Sequence, residues 1–154
     1  MNRIDRPSAP TRYDQDFARW CTEQGAALRE GRWSMLDREN LAEEIESLTR
    51  SDKREIESRL KTLLVHLLKY RYQRHKVKPG WRSTIREQRR QLHKIIEDSP
   101  SLKSYPSAVL DEEYVFAPAD AADETELPLE TFPERCPFAL SDILDLNYLP
   151  TERD

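Results

Sequence analysis

The stretch from Lys69 to Lys94 combines basic and aromatic residues, the two residue types that can bind nucleic acid. Cationic side chains neutralise phosphates and release counterions, and aromatic rings can stack on unpaired bases. The candidate anion- or nucleic-acid-binding face consists of Lys69, Arg71, Arg74, Lys76, Lys78, Arg82, Arg86, Arg89 and Arg90. Tyr70 and Trp81 lie among these residues, but their helical phases predict that both face a core.

The distribution of charge along the chain weighs against nucleic acid as the ligand. Residues 61–103 include twelve basic and three acidic residues, whereas 111–154 include two basic and thirteen acidic residues. The acidic segment could lie across the basic one and neutralise it, although each surface pair contributes only about 0–1 kcal/mol. The sequence pI of about 5.5 is also far from the basic values of dedicated nucleic-acid binders. We therefore expect neutralisation within the chain or plain solvation, with nucleic-acid binding as the alternative.

A second candidate is a carboxylate–histidine pair, Glu44 and His66. Each residue flanks the apolar stripe of its own predicted helix, and an antiparallel hairpin of those helices would bring the two together. Such a pair could transfer protons, form half of a metal site, or be a polar pair that satisfies itself in the core. Metal sites in helical bundles typically use Glu-x-x-His pairs, and the sequence contains none. We expect a satisfied polar pair, with no metal and no cofactor.

The sequence offers no recognisable nucleophile. The chain contains only three glycines, no Gly-x-Ser-x-Gly motif and no glycine-rich phosphate loop, so nucleotide-binding folds are close to excluded. Cys21 and Cys136 are far apart and lack metal-ligand spacing, which is typical of thiols in a reducing compartment. We predict no signal peptide and no membrane-spanning segment, which needs ~20 apolar residues, and we therefore expect a cytoplasmic protein.

Apolar residues at three- and four-residue steps predict the helices that would position these side chains. The first helix has one aromatic-rich face: Tyr13, Phe17, Trp20, Cys21, Gln24 and Leu28. Thr11 or Asp14 could cap its start, and Gly31 follows its end. A helix built around aromatic residues is expected to anchor against something large.

The remaining periodicity predicts four more helices. The second helix carries Leu41, Ile45 and Leu48, with Ser34 or Asp37 as its cap, and a break at 49–52 ends it. The third helix, about 53–75, has a broad apolar stripe that indicates a central position, and the fourth follows at about 81–98. The fifth, about 107–123, should be kinked or split by Pro118.

The predicted fold is all-α, an irregular bundle of about five helices with a proline-rich, acidic C-terminal tail packed on it. We expect an N-terminal arm at 1–12, a single helical domain at 13–150 and a short end at 151–154. Residues 127–150 form the wrapping tail, because prolines there alternate with apolar clusters, with one short helix at about 141–146.

Several short motifs in a fixed order carry a family resemblance. They are Trp33-Ser34-Met35-Leu36-Asp37, Leu41-Ala42-Glu43-Glu44-Ile45-Glu46, His66-Leu67-Leu68-Lys69, Thr84-Ile85 with Gln88-Arg89, Ser99-Pro100-Ser101-Leu102, Phe132-Pro133, Cys136-Pro137 and Leu149-Pro150. In these motifs the chain resembles the bacterial domain-of-unknown-function family twenty-nine, from Tyr13 to Pro150. The resemblance implies a compact all-helical domain, an uninterrupted helix around Pro118, and no known activity.

The leading functional hypothesis is a small non-catalytic interaction or regulatory protein that binds another protein. It rests on a compact helical domain with many solvated charges and no catalytic constellation. The first alternative is nucleic-acid binding through the Lys69–Lys94 face. The second alternative is an enzyme that uses Glu44 and His66. The sequence does not specify the partner or the oligomeric state.

Overall fold

A computed structural model describes residues 9–151 of the chain, and these form only helices and connecting loops. The α-helices are α1 (Phe17–Arg29), α2 (Arg38–Tyr72), α3 (Pro79–Asp98), α4 (Tyr105–Tyr114), α5 (Ala117–Thr125) and α6 (Leu140–Leu144). Short 3-10 helices lie at Trp33–Met35, Arg74–Lys76, Pro100–Leu102 and Leu129–Thr131. The prediction of an all-α fold is confirmed.

The chain divides into two compact units, Met1–Thr49 and Arg50–Asp154. The single helical domain expected at 13–150 stays a prediction. The first unit contains α1 and the first three turns of α2, and the second contains the rest of α2 with α3–α6. Within the described part of the chain, no helix is both long enough and apolar enough to cross a membrane.

The predicted break at 49–52 is wrong, because α2 runs without interruption from Arg38 to Tyr72. The sequence of α2 contains neither glycine nor proline, so no residue in it forces the backbone out of the helix. Asp52 followed by Glu55 resembles a capping box that could start a new helix, but a polar residue at a helix surface costs only a few tenths of a kcal/mol. The local capping signal was therefore too weak to end the helix.

The core of the second unit is organised around the C-terminal half of α2. Leu60, Leu63, Leu64, Leu67 and Leu68 are all completely buried. Around them pack apolar residues from every later helix and from the tail: Ile85, Leu92, Val109, Tyr114, Ala117, Ala121, Phe132, Phe138 and Ile143. The apolar stripe of α2 is broad because later helices cover this half of α2 on several sides, and each covered side needs apolar residues.

Pro118 separates two helices, as the sequence predicted. The chain leaves α4 at Tyr114 and re-enters a helix at Ala117, which places Pro118 in the first turn of α5. Proline is tolerated there because the first amide groups of a helix have no partner within it. The uninterrupted helix that the family resemblance implied is therefore absent at this point of the described chain. The short tail helix, expected at 141–146, is found at Leu140–Leu144.

Candidate protein-interaction surface

Gln24 fixes the loop that joins α1 to α2 in the first unit. Its side chain is buried, and its Nε2 donates to the carbonyl of Met35 at 3.1 Å. Its Oε1 accepts from the amide of Asp37 at 2.8 Å. A single amide side chain thus satisfies both a donor and an acceptor of the loop, which holds the start of α2 beside α1.

An aromatic cluster supports the same region. Trp20 is almost fully buried, its indole N–H donates to Asp37 at 3.3 Å, and its ring lies 5.0 Å from that of Tyr13 and 5.9 Å from that of Phe17. The hydroxyl of Tyr13 donates to Glu44 on α2, and this carboxylate raises the pKa of Tyr13. The α1 N-cap is Asp16, which accepts from the amide of Arg19 at 3.0 Å, so the caps predicted at Thr11 or Asp14 are wrong.

An open apolar groove of about 240 Å³ lies between α1 and the first turns of α2. Its lining consists of Phe17, Trp20, Cys21, Gln24, Gly25, Leu28, Leu41, Glu44, Ile45 and Leu48. On α1, Phe17 is 50% exposed and Leu28 is 44% exposed, and on α2, Ile45 is 65% and Leu48 is 67% exposed. These partly exposed apolar side chains line the same groove. We refer to this surface as the α1–α2 groove.

The electrostatic surroundings of the groove are acidic. Among the described residues that line it, Glu44 is the one carboxylate. Residues 9–49 contain five basic and nine acidic residues, so the described part of the first unit carries a net negative charge. Cys21, the thiol in the groove, is exposed, whereas Cys136 in the second unit is half-buried and burial raises its pKa.

Glu44 and His66 occupy separate environments. Both belong to the continuous helix α2, about six turns apart, so the hairpin on which their pairing depended is absent from the described chain. Glu44 accepts from Tyr13, and the Nδ1 of His66 donates to the carbonyl of Thr62 at 2.9 Å. Burial lowers the pKa of His66. Among residues 9–151, no group of three His, Cys, Asp or Glu side chains could hold a metal ion.

Three residues of the predicted basic face stabilise the second unit. Lys69 is buried, its Nζ pairs with Glu124 on α5, and it lies 4.8 Å from the ring centre of Trp81. Arg71 is half-buried and stacks its guanidinium over the rings of Tyr72 and Phe138.

Arg89 is only 1% exposed and bonds to main-chain carbonyls of the tail. Its guanidinium donates to the oxygens of Ile143 at 2.7 Å, Tyr148 at 2.6 Å and Asp142 at 3.1 Å. Burial lowers the pKa of this guanidinium. The three carbonyls of the tail therefore converge on one cation in α3.

The other six basic residues of the predicted face are exposed. Arg82 donates to the hydroxyl of Tyr70 at 2.9 Å, and Arg90 makes two hydrogen bonds to Glu87. The remaining four, Arg74, Lys76, Lys78 and Arg86, make no side-chain hydrogen bond or ion pair to any described residue. The structure thus divides the predicted face into a structural part and a solvated part.

The groove itself was not predicted from the sequence, although all its apolar residues were noticed. Their helical spacing showed that α1 and α2 each have an apolar face. Periodicity does not indicate whether such a face is covered, so the sequence did not show that the two faces border an open groove. The one available signal was the aromatic-rich face of α1, which was expected to anchor against something large.

Comparison with known proteins gives one finding. The family model described as "Domain of unknown function DUF29" matches residues 12–149. The chain matches no curated protein and no solved structure.

Proposed function

The chain belongs to the DUF29 family, whose description assigns no activity, and we propose that it is a non-catalytic cytoplasmic interaction or regulatory protein. Its first unit binds another protein through the α1–α2 groove. The occupant is an amphipathic helix of the partner, with an apolar face flanked by Lys and Arg. The observation that carries this proposal is the exposure of Phe17, Leu28, Ile45 and Leu48 along one groove.

The exposed apolar surface supplies the driving force for binding. Covering a fully exposed Leu or Ile side chain contributes about 1.5–3 kcal/mol. Ile45 and Leu48 are about two-thirds exposed, so covering these two together contributes on the order of 2–4 kcal/mol. Apolar side chains at positions 45 and 48, spaced by about one helical turn, suit an occupant with the same spacing.

The walls of the groove are held in place before any partner arrives. Gln24 fixes the α1–α2 loop, Trp20 bonds to Asp37, and Tyr13 bonds to Glu44. A site that is already ordered loses little conformational entropy on binding, so more of the contact energy appears as affinity.

Charge complementarity favours a partner helix whose apolar face is flanked by Lys and Arg. The net negative charge of residues 9–49 attracts a cationic segment and increases its association rate. Glu44 lines the groove and has a second carboxylate oxygen that can accept from a Lys or Arg. A second copy of this chain would present the same negative unit, because a two-fold interface places identical surfaces against each other.

A cytoplasmic location fits the state of the cysteines. Cys21 and Cys136 are both free thiols, and Cys21 is exposed. An exposed free thiol persists in a reducing compartment but is oxidised outside it.

The two thiols also provide the test. The probe is a synthetic amphipathic peptide with Leu at helical i, i+3, i+4 and i+7 positions and Lys elsewhere. Bound peptide should slow alkylation of Cys21 and leave alkylation of Cys136 unchanged, so that Cys136 is an internal reference. A scrambled peptide and a Glu-flanked peptide should protect Cys21 at least tenfold less well.

Matched variants locate the binding surface. The double variant Ile45→Ser, Leu48→Ser should weaken peptide binding at least tenfold, whereas Val115→Ser, Leu129→Ser changes two exposed apolar residues elsewhere and should not. Equal protection of Cys21 by the scrambled peptide, or equal binding by both double variants, would refute the proposal. Sedimentation showing a dimer that Ile45→Ser, Leu48→Ser dissociates would assign the groove to a second copy instead.

A further inference from the structure

We propose that the corner between α2 and α3 binds the phosphate backbone of duplex nucleic acid without reading its bases. The corner is formed by Arg74, Lys76, Lys78, Arg82 and Arg86, and we call these five residues the basic corner. All five are exposed. This surface lies in the second unit and shares no residue with the α1–α2 groove, so a test of one proposal does not decide the other.

Local structure gathers the five cations. Arg74 and Lys76 lie in the 3-10 helix that follows α2, and Lys78 precedes α3 directly. Lys78, Arg82 and Arg86 follow one another at four-residue steps, each of which advances about 6 Å along a helix. Arg82 is tied to the end of α2, because it bonds to the Tyr70 hydroxyl and its guanidinium lies 5.7 Å from the Tyr70 ring centre. No Asp or Glu occurs between Tyr70 and Arg86.

The acidic C-terminal segment engages other cations. Within the described residues, Asp120 pairs with Lys61 and Glu124 pairs with Lys69. The tail binds to α3 through main-chain carbonyls, which accept hydrogen bonds from Arg89 and His93. The Nε2 of His93 donates to the carbonyl of Leu144 at 2.8 Å. The neutralisation expected from the sequence therefore does not reach the basic corner in the described part of the chain.

Because the aromatic residues near the basic corner are buried, we expect the corner to bind duplex rather than single-stranded nucleic acid. Tyr70 and Trp81 are each only 5% exposed, and Tyr72 packs its ring against Phe132 with 5.5 Å between centroids. Proteins that hold single strands use exposed aromatic rings as stacking platforms, and the corner offers none of these three. Its contacts are therefore restricted to phosphates.

The density of charge favours nucleic acid over an acidic protein. A duplex carries one negative charge per ~1.7 Å of its axis, so several cations on a short corner can meet phosphates at once. Three of the five cations are arginines, whose planar guanidinium can bind a phosphate through two parallel hydrogen bonds. Binding of this kind is nonspecific, with Kd of about 10⁻⁴–10⁻⁶ M at physiological salt.

The test uses the full-length chain and a fluorescein-labelled 20-base-pair DNA duplex, with anisotropy measured over a series of salt concentrations. If the five cations all contact phosphates, log K should fall against log salt with a slope of about −4.5. The triple variant Arg74→Gln, Lys76→Gln, Lys78→Gln should bind at least tenfold more weakly at low salt, with a slope smaller by about 2–3. A duplex of unrelated sequence should bind equally well.

A matched control separates the corner from net charge. Arg54→Gln, Lys103→Gln, Arg135→Gln removes three exposed cations of the second unit that lie outside the corner and should leave binding unchanged within twofold. Thermal melting would confirm that both triple variants fold. Absence of binding at low salt, or equal losses in both variants, would overturn the proposal. Tighter binding of a single strand, or of poly-glutamate, would overturn it in favour of base stacking or an acidic protein.

Discussion

Replacing Arg89 with Met tests whether the tail is fastened to α3 by one buried cation. Met removes the guanidinium but keeps an unbranched apolar stem of similar length. The carbonyls of Ile143, Tyr148 and Asp142 would lose the donors that now lie 2.6–3.1 Å away. Since Arg89 is 1% exposed, water cannot replace all of these donors without opening the packing between α3 and the tail.

The expected loss follows from the number of carbonyls left without a partner. A buried polar group without a hydrogen bond costs about 1–3 kcal/mol, and hydrogen bonds from charged groups are at the upper end. Two of the three bonds are only partly buried, so some rehydration reduces the total, and we expect a decrease of about 3–5 kcal/mol in the free energy of unfolding. For a chain of this length, that corresponds to a decrease in Tm of about 6–20 °C.

Urea denaturation of the purified variant measures this quantity, and limited proteolysis shows whether 140–150 becomes accessible. Arg89→Lys should recover little of the stability, because an ammonium group cannot reproduce the planar arrangement of three donors. Arg90→Met is the neighbouring control, since Arg90 and Glu87 form a surface pair that water and salt screen, and its loss should change the stability little. A loss below 1 kcal/mol for Arg89→Met would show that the tail is held by its apolar side chains alone.

Three further predictions concern the core, the backbone and pH. In urea denaturation, Leu64→Ala should lower the free energy of unfolding by about 2–5 kcal/mol, because Leu64 is fully buried. A loss below 1 kcal/mol would contradict the central position of Leu64. In the same assay, Glu126→Gly should raise the free energy of unfolding by about 1 kcal/mol, because Glu126 has a φ of 60°, which glycine adopts without strain. A decrease in the free energy of unfolding would contradict this prediction. The hydrogen bond from Arg90 lowers the pKa of Glu87 to about 2, so their interaction stabilises the fold above pH 4.5 and is lost as the pH falls towards 2. NMR titration should show the pKa of Glu87 rising towards 4.5 in Arg90→Gln, and an unchanged value would contradict the assignment.

The parts of the fold that were predictable from sequence depend on strong local rules. Proline has no amide hydrogen, so the helix predicted around Pro118 had to be kinked or split, and Pro118 does lie in the first turn of α5. The phases of Tyr70 and Trp81 correctly indicated that both are buried. The broad leucine stripe of α2 likewise indicated its central position in the second unit.

Other features depend on contacts between distant residues, which a single sequence does not show. Arg89 was assigned to a solvated basic face, yet it bonds to carbonyls more than fifty residues further along the chain. Its spacing of four from Ile85 and three from Leu92 put it on the apolar stripe of α3, and this signal was available. Most arginines are exposed, so the charge of Arg89 favours a surface position although its helical phase favours the core.

Salt dependence distinguishes the two proposed surfaces experimentally. Binding to the α1–α2 groove depends mainly on the burial of Phe17, Leu28, Ile45 and Leu48. Its affinity should therefore fall by no more than about tenfold between 50 and 300 mM salt, as the attraction between the Lys flanks and the negative first unit is screened. Binding to the basic corner depends on the release of counterions, so its affinity should fall by orders of magnitude over the same range. A steep salt dependence for the amphipathic peptide would show that the negative charge of the first unit, and not its apolar groove, attracts that peptide.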